Sequence, residues 1–207
     1  MIDLKNKSYI SVPKRTGKFM DDVCHLLTSN DKTKTKEHVL AVAEQAQCLA
    51  QRFQVQEDIC IQSALLHDIS AILKPSDMVE IAISNHYHLD EAEKRYPFLL
   101  HQVISSWIAQ SYFYIDCPYI LDAIACHTTL KPFPNNYDMI LFLADKMAWD
   151  QEGIPPYLEL IIQALDISLE DACYQYIYYL FDNHLLLYPH HLIQEAYCYL
   201  KEKYEND

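Results

Sequence analysis

At 207 residues and 51% apolar content, the chain can bury one sizeable core and is not an intrinsically disordered polymer. Sixteen basic against 29 acidic side chains leave a formal charge of −13, which repels nucleic acid and anionic membranes, so neither is expected as a partner. Gly17 and Gly153 are the only glycines, which argues against glycine-rich phosphate loops and tight-turned β architectures.

Helical periodicity dominates from Gly17 onward. Half of the basic residues (Lys5, Lys7, Lys14, Arg15, Lys18, Lys32, Lys34 and Lys36) lie in the first 36 positions. Such a run reads either as a solvated arm or as charge that helps to neutralise an anionic ligand. A first helix is expected over Lys18–Leu27, stopping at the polar stretch TSNDKTKT. The next, Lys34–Phe53, places His38, Val39, Val42, Ala46, Leu49 and Ala50 at three- and four-residue spacing. A third begins at Glu57 and ends at the pair His67-Asp68. Pro75 suits the first turn of a short helix reaching Ser84. The segment NHYHLDEAEKRY is polar and reads as an exposed connection or a lid.

Pro97 introduces a helix holding Leu100, His101, Ile104, Trp107 and Ile108, and Pro118 opens another that ends near AIACHTT. Asn135 or Asn136 caps a helix running through MILFLADKMAW, and Pro155-Pro156 starts a further one. Two tyrosine-rich helices close the chain. About ten helices with short connections predict an all-α fold, a compact single-domain helical bundle.

Seven cysteines are scattered without Cys-x-x-Cys spacing, as expected of free thiols in a reducing compartment. Cys126, beside His127, reads as a packing residue or as a thiolate. The histidines and aspartates carry more. An apolar helix ends by setting His67 against Asp68, and a buried carboxylate beside an imidazole is costly without compensation. Four other ligand types recur at helix ends or on apolar faces: His38, His101, His127 and Asp145. Asp145 interrupts MILFLADKM, a helix apolar on nearly every side. Shared coordination of cations compensates all six residues at once. Imidazoles and carboxylates without thiolates suit Fe, Mn, Zn, Ni or Co, and six ligands suffice for two ions if Asp68 bridges.

In the order His38, His67-Asp68, His101, His127, Asp145, the sequence resembles the HD-domain metal-dependent phosphohydrolase superfamily. Within it, the chain is most similar to the YqeK-type branch of symmetrical dinucleoside tetraphosphatases. The resemblance runs over 34–149 and is carried by EHVLAVAEQAQCLA, SALLHDIS, LLHQVISSWIA, ILDAIACHTT and ILFLADKM. It implies a bundle of the HD-domain type in which His38, His67, Asp68 and Asp145 hold one divalent ion. Asp68, His101 and His127 would hold the second. The implied metal is iron, with manganese, nickel, cobalt or zinc as substitutes. The implied reaction is cleavage of diadenosine tetraphosphate to two ADP by a metal-bridging hydroxide, with Asp68 and His67 at the catalytic centre.

Ala71 stands where the branch carries a lysine, Thr35 where it carries an arginine, and Leu130 where it has the glycine of HTTG. Thr128, Lys131 and Lys146 are the expected substrate contacts. The alternative function is a nucleoside mono- or diphosphate hydrolase, or a catalytically silent nucleotide-binding sensor. The expected organisation is an arm and helix over 1–30, the metal-binding core over 31–150, and C-terminal helices over 151–207 packed on the same domain. MIDLKNKSYI is too polar for a signal peptide and no apolar run reaches membrane-spanning length, so a cytoplasmic location is expected. The expected partner is a small phosphorylated molecule, a nucleotide first of all. A tyrosine-mediated homodimer is the minority reading.

Overall fold

A computed structural model describes residue 2, residue 4, residues 7–149 and residues 152–206; Lys5 of the basic segment lies outside them. Among the described residues there are eleven α-helices and no strand. They are α1 (Phe19–Thr28), α2 (Thr33–Arg52), α3 (Glu57–Leu66), α4 (Pro75–Ser84), α5 (Glu91–Arg95) and α6 (His101–Tyr112). Then follow α7 (Pro118–Cys126), α8 (Asn136–Met147), α9 (Leu158–Ala164), α10 (Leu169–Asp182) and α11 (His191–Asn206). Single turns of 3₁₀ helix at Ile69–Ile72 and Pro97–Leu100 follow α3 and precede α6.

Local chemistry sets several of these boundaries. Pro75 and Pro118 sit in the first turns of α4 and α7, where the missing N–H costs nothing. Asn135 caps α8 by accepting from the N–H groups of Tyr137 and Asp138, and Asp138 reaches back to the Asn135 N–H. The ends of α2, α4 and α10 wrap into left-handed residues, Gln54, His86 and His184, that are not glycines. Each is followed by an N–H that returns to the last turn, as from Val55 to the Ala50 carbonyl.

Helix α8 is the hub. Met139 to Ala144 are fully buried, so its apolar residues run all round the helix rather than along one stripe. It packs against α2, α3, α7 and α10, and α10 in turn carries α9 and α11. Val39, Val42 and Ala46 of α2, with Leu65 and Leu66 of α3, are buried in the same core. Each fully buried valine or leucine among these contributes about 1.5–3 kcal/mol.

The first half of the polar segment is the exposed connection expected, with His86 and His88 exposed, but Glu91–Arg95 forms helix α5, which corrects that part of the expectation. Asp90 and Glu93 make a capping box, and Glu93 is buried, accepting from the Tyr87 hydroxyl. His191 bonds Asp90, and the Nε2 of buried His190 lies 3.6 Å from Glu93. The segment therefore ties the start of α11 to the rest of the bundle. In the N-terminal segment Lys7 pairs with Asp77 and Glu80 of α4, and Arg15 faces Asp22 and bonds the Tyr112 carbonyl. These two cations are engaged within the fold. All seven cysteines are free thiols, and Cys126 is buried with its thiol 3.8 Å from the Ala123 carbonyl, a packing position. Among the described residues no helix is long and apolar enough to cross a membrane.

Candidate metal centre

Three histidines use one local device. His67 and His127 follow the last residues of α3 and α7, and His101 follows the 3₁₀ turn at the start of α6. In each, Nδ1 lies against the carbonyl three residues earlier: Ala64 at 2.7 Å, Ile124 at 2.8 Å and Phe98 at 2.6 Å. A carbonyl oxygen only accepts, so each Nδ1 carries the proton and donates it. The ring orientation is thereby fixed, and in the neutral ring Nε2 presents its lone pair.

Those lone pairs converge. The Nε2 atoms of His101 and His127 are 3.0 Å apart, which is repulsive between two neutral rings so oriented and is relieved by a shared proton or a metal ion. His67 Nε2 is buried and has no hydrogen-bond partner, while Asp145 Oδ1 lies 3.5 Å away. His38, on α2, places Nε2 3.0 Å from that same oxygen. Asp68 faces both sets: Oδ2 is 3.7 Å from His67 Nε2, and Oδ1 is 3.5 Å from His101 and 3.8 Å from His127. His38, His67 and Asp145 form one compact triad, and His67, Asp68 and His127 another, each with ligand atoms within 4.8 Å of one another.

The charges are consistent with this geometry. Burial would raise the carboxyl of Asp145, but Lys146, His38 and His67 hold it well below the ordinary range. Burial would likewise raise Asp68, and His67, His101 and His127 outweigh it, so both groups are carboxylates. Burial alone would lower His67, but the charges of Asp68 and Asp145 raise it to about 9. His127 is pushed well below its usual value by burial and by its histidine neighbours, and is neutral. Two carboxylates and a ring of oriented imidazole nitrogens, one of them orphaned, fit a divalent metal site.

The structure brings Thr128 and Lys146 to this cluster. The Thr128 hydroxyl is 3.1 Å from His101 Nε2, and the Lys146 ammonium bonds Asp145 Oδ2 at 2.5 Å. Lys131 is committed elsewhere. Its ammonium pairs with Asp122 at 3.0 Å and with fully buried Asp138 at 3.2 Å, joining α7 to α8.

Other supporting residues escaped the sequence reading because uncharged side chains give no signal there. Ser70 donates its hydroxyl to the His101 carbonyl, and its N–H bonds Ser105, which locks the turn after Asp68 onto α6. Gln102 accepts from the Thr128 N–H and bonds Thr129, holding the HTT loop. Leu130, at the expected glycine position, has a φ of 58° and is fully buried, so the loop keeps a left-handed residue without the glycine.

Comparison with known proteins bears on the fold and the family. An uncharacterized protein in the pepC 5′ region of Lactococcus lactis subsp. cremoris is 36% identical over 123 residues, covering 59% of this chain and 63% of that protein. The chain thus matches just under two thirds of that relative's length. The crystal structure of a predicted HD superfamily hydrolase involved in NAD metabolism, from Clostridium acetobutylicum, superposes with a TM-score of 0.78 at 24% identity. It covers 88% of this chain and 97% of its own, and so shares the fold. The HD domain family matches residues 35–150, over half of the chain, and with all six ligand-type residues inside that span the chain belongs to the HD domain family.

Proposed function

We propose that the chain is a dinuclear metal-dependent phosphohydrolase that acts on nucleotides, in the manner of the symmetrical dinucleoside tetraphosphatases. The observation that carries this reading is the shared position of Asp68, whose two oxygens face different histidine sets. His38, His67, Asp68 and Asp145 would hold one ion, and Asp68, His101 and His127 the second. Iron is the first expectation, with manganese, nickel, cobalt or zinc as substitutes. When bound, such ions supply Lewis acidity to phosphoryl oxygens and acidify water at neutral pH.

The chain's own residues do the rest. The Nδ1–H bonds of His67, His101 and His127 prevent the rings from turning, so their nitrogens need no reorganisation on binding. Lys146 keeps Asp145 ionised and aimed, and it is a second positive group beside the centre. Thr128 places a hydroxyl donor at the rim, within reach of a phosphoryl oxygen. Local positive charge of this kind is how a chain of formal charge −13 would accept an anion.

A second reading is favoured by the lysines. Lys131 is spent on Asp122 and Asp138, and Lys146 on Asp145, which leaves little cationic surface for a long polyphosphate. A nucleoside mono- or diphosphate asks for less. Elemental analysis of freshly purified protein, followed by a hydrolysis panel, separates these readings. The panel takes diadenosine tetraphosphate, nucleoside mono- and diphosphates and, given the description of the Clostridium acetobutylicum neighbour, NAD. ADP as sole product from diadenosine tetraphosphate is the expected result. Turnover confined to mono- and diphosphates selects the second reading. Metal-loaded protein that binds nucleotide tightly and hydrolyses nothing is a sensor, and metal-free protein inert after reconstitution overturns all three.

A further inference from the structure

Beside the centre runs a cleft of ≈ 340 Å³ lined by Lys34, Glu37, His38, Ala41, Ala148 and Trp149. Four of these come from α2 at spacings of three, four and seven residues, which is a single face of that helix. The other wall is the pair that directly follows α8, three and four residues beyond Asp145. His38 belongs to both cleft and cluster, with Nε2 3.0 Å from Asp145. A molecule in this cleft is therefore one side chain away from where a phosphate would sit.

We propose that this cleft receives the nucleobase of the substrate, with Trp149 as its stacking surface. The inference rests on the nucleotide reading above and assigns residues to it. Tyr157 meets Trp149 at 85°, and among the described residues no ring stacks parallel on the indole. Ala41 and Ala148 leave room for a planar ring. At the mouth, exposed Lys34 and Glu37 carry opposite charges. That pair suits a heteroaromatic edge with both donors and acceptors, whereas the Glu37 carboxylate repels a phosphate. Base stacking on aromatic side chains is tolerant of sequence and favourable in water.

The test uses the full chain carrying Trp107→Phe, which leaves Trp149 as its single tryptophan. Adenosine, which has no phosphate and needs no metal, is titrated against the emission of Trp149. Saturable quenching is expected, weakened about tenfold or more when Ala41→Leu is added to fill the cleft. In parallel, Ala41→Leu is expected to lower the ratio of kcat/KM for diadenosine tetraphosphate to that for inorganic tripolyphosphate by about tenfold. Circular dichroism checks that each variant is folded. Emission that adenosine leaves unmoved, in protein that hydrolyses diadenosine tetraphosphate, overturns the cleft assignment and leaves the function standing. Quenching in protein that hydrolyses no phosphate upholds the cleft and removes the phosphohydrolase. A kinetic ratio untouched by Ala41→Leu also overturns the cleft.

Discussion

Asp68 holds its carboxylate between two sets of imidazole nitrogens, and Asp68→Asn removes the charge while keeping the shape. Metal content by elemental analysis is expected to fall, and hydrolysis to drop by at least about 10²-fold, the scale of losing one preorganised charge at a reacting centre. A purely structural Asp68 would change stability and leave metal content alone. For Lys131 the expectation is the reverse. Lys131→Met strands the buried Asp138 carboxylate, so urea denaturation should show a loss of about 1–3 kcal/mol with KM unmoved. Leu130 offers a sharper comparison. Alanine and glycine lose buried packing that differs by the Cβ methyl alone, but only glycine relieves the left-handed backbone. Leu130→Gly should therefore be more stable than Leu130→Ala by about 1 kcal/mol, against the usual order in regular structure.

Among the elements, those with strong local signals lie where their sequence predicts. The prolines of α4 and α7 and the asparagine before α8 act within one turn, so no tertiary context is needed to read them. Helix α5 carries one such signal, the Asp90 and Glu93 of its capping box, but is too short a helix to follow from it. Its residues Glu91–Arg95 show no apolar period, and it is held by Glu93, buried against Tyr87 and facing His190 from the far end of the chain. The cap of α8 gives the test at this scale. Asn135→Ala should cost about 1 kcal/mol in thermal or urea unfolding. Metal content well below the midpoint should be unchanged, because Asp145 lies in the last turn, at the opposite end of that helix.

Over the whole molecule, the centre couples stability to pH and to metal. With no ion bound, the carboxylates of Asp68 and Asp145 outweigh burial and push His67 up to about 9 from an unfolded value of 6.5. Its contribution is complete below pH 6.5 and is lost as pH rises through 9. His127 is shifted the other way, so the stability of its neutral form is present above pH 6.5 and lost as pH falls. The melting temperature of chelated protein, followed by differential scanning fluorimetry, should thus peak near pH 6.5. With manganese present it should instead rise from pH 6.5 to 9, because binding at His67 displaces the proton that competes for Nε2. A profile that chelator and manganese leave identical would mean that the cluster holds no ion.

The sequence by itself determined the all-α class, most helix starts, and the order of the six ligand-type residues, because periodicity, prolines and caps act over a few residues. Tertiary structure decided what those residues do to one another. His38 meets Asp145 across 107 positions, and Asp68 gains its place between two histidine sets only when α3, α6 and α7 pack together. The same holds for Lys131, whose charge is legible in the chain but whose partners are not. It holds again for Trp149, whose cleft exists only where the end of α8 passes the face of α2. Charge and hydrogen-bond strength depend on distance and burial, and for residues far apart in the chain both are set by the folded packing rather than by spacing along it.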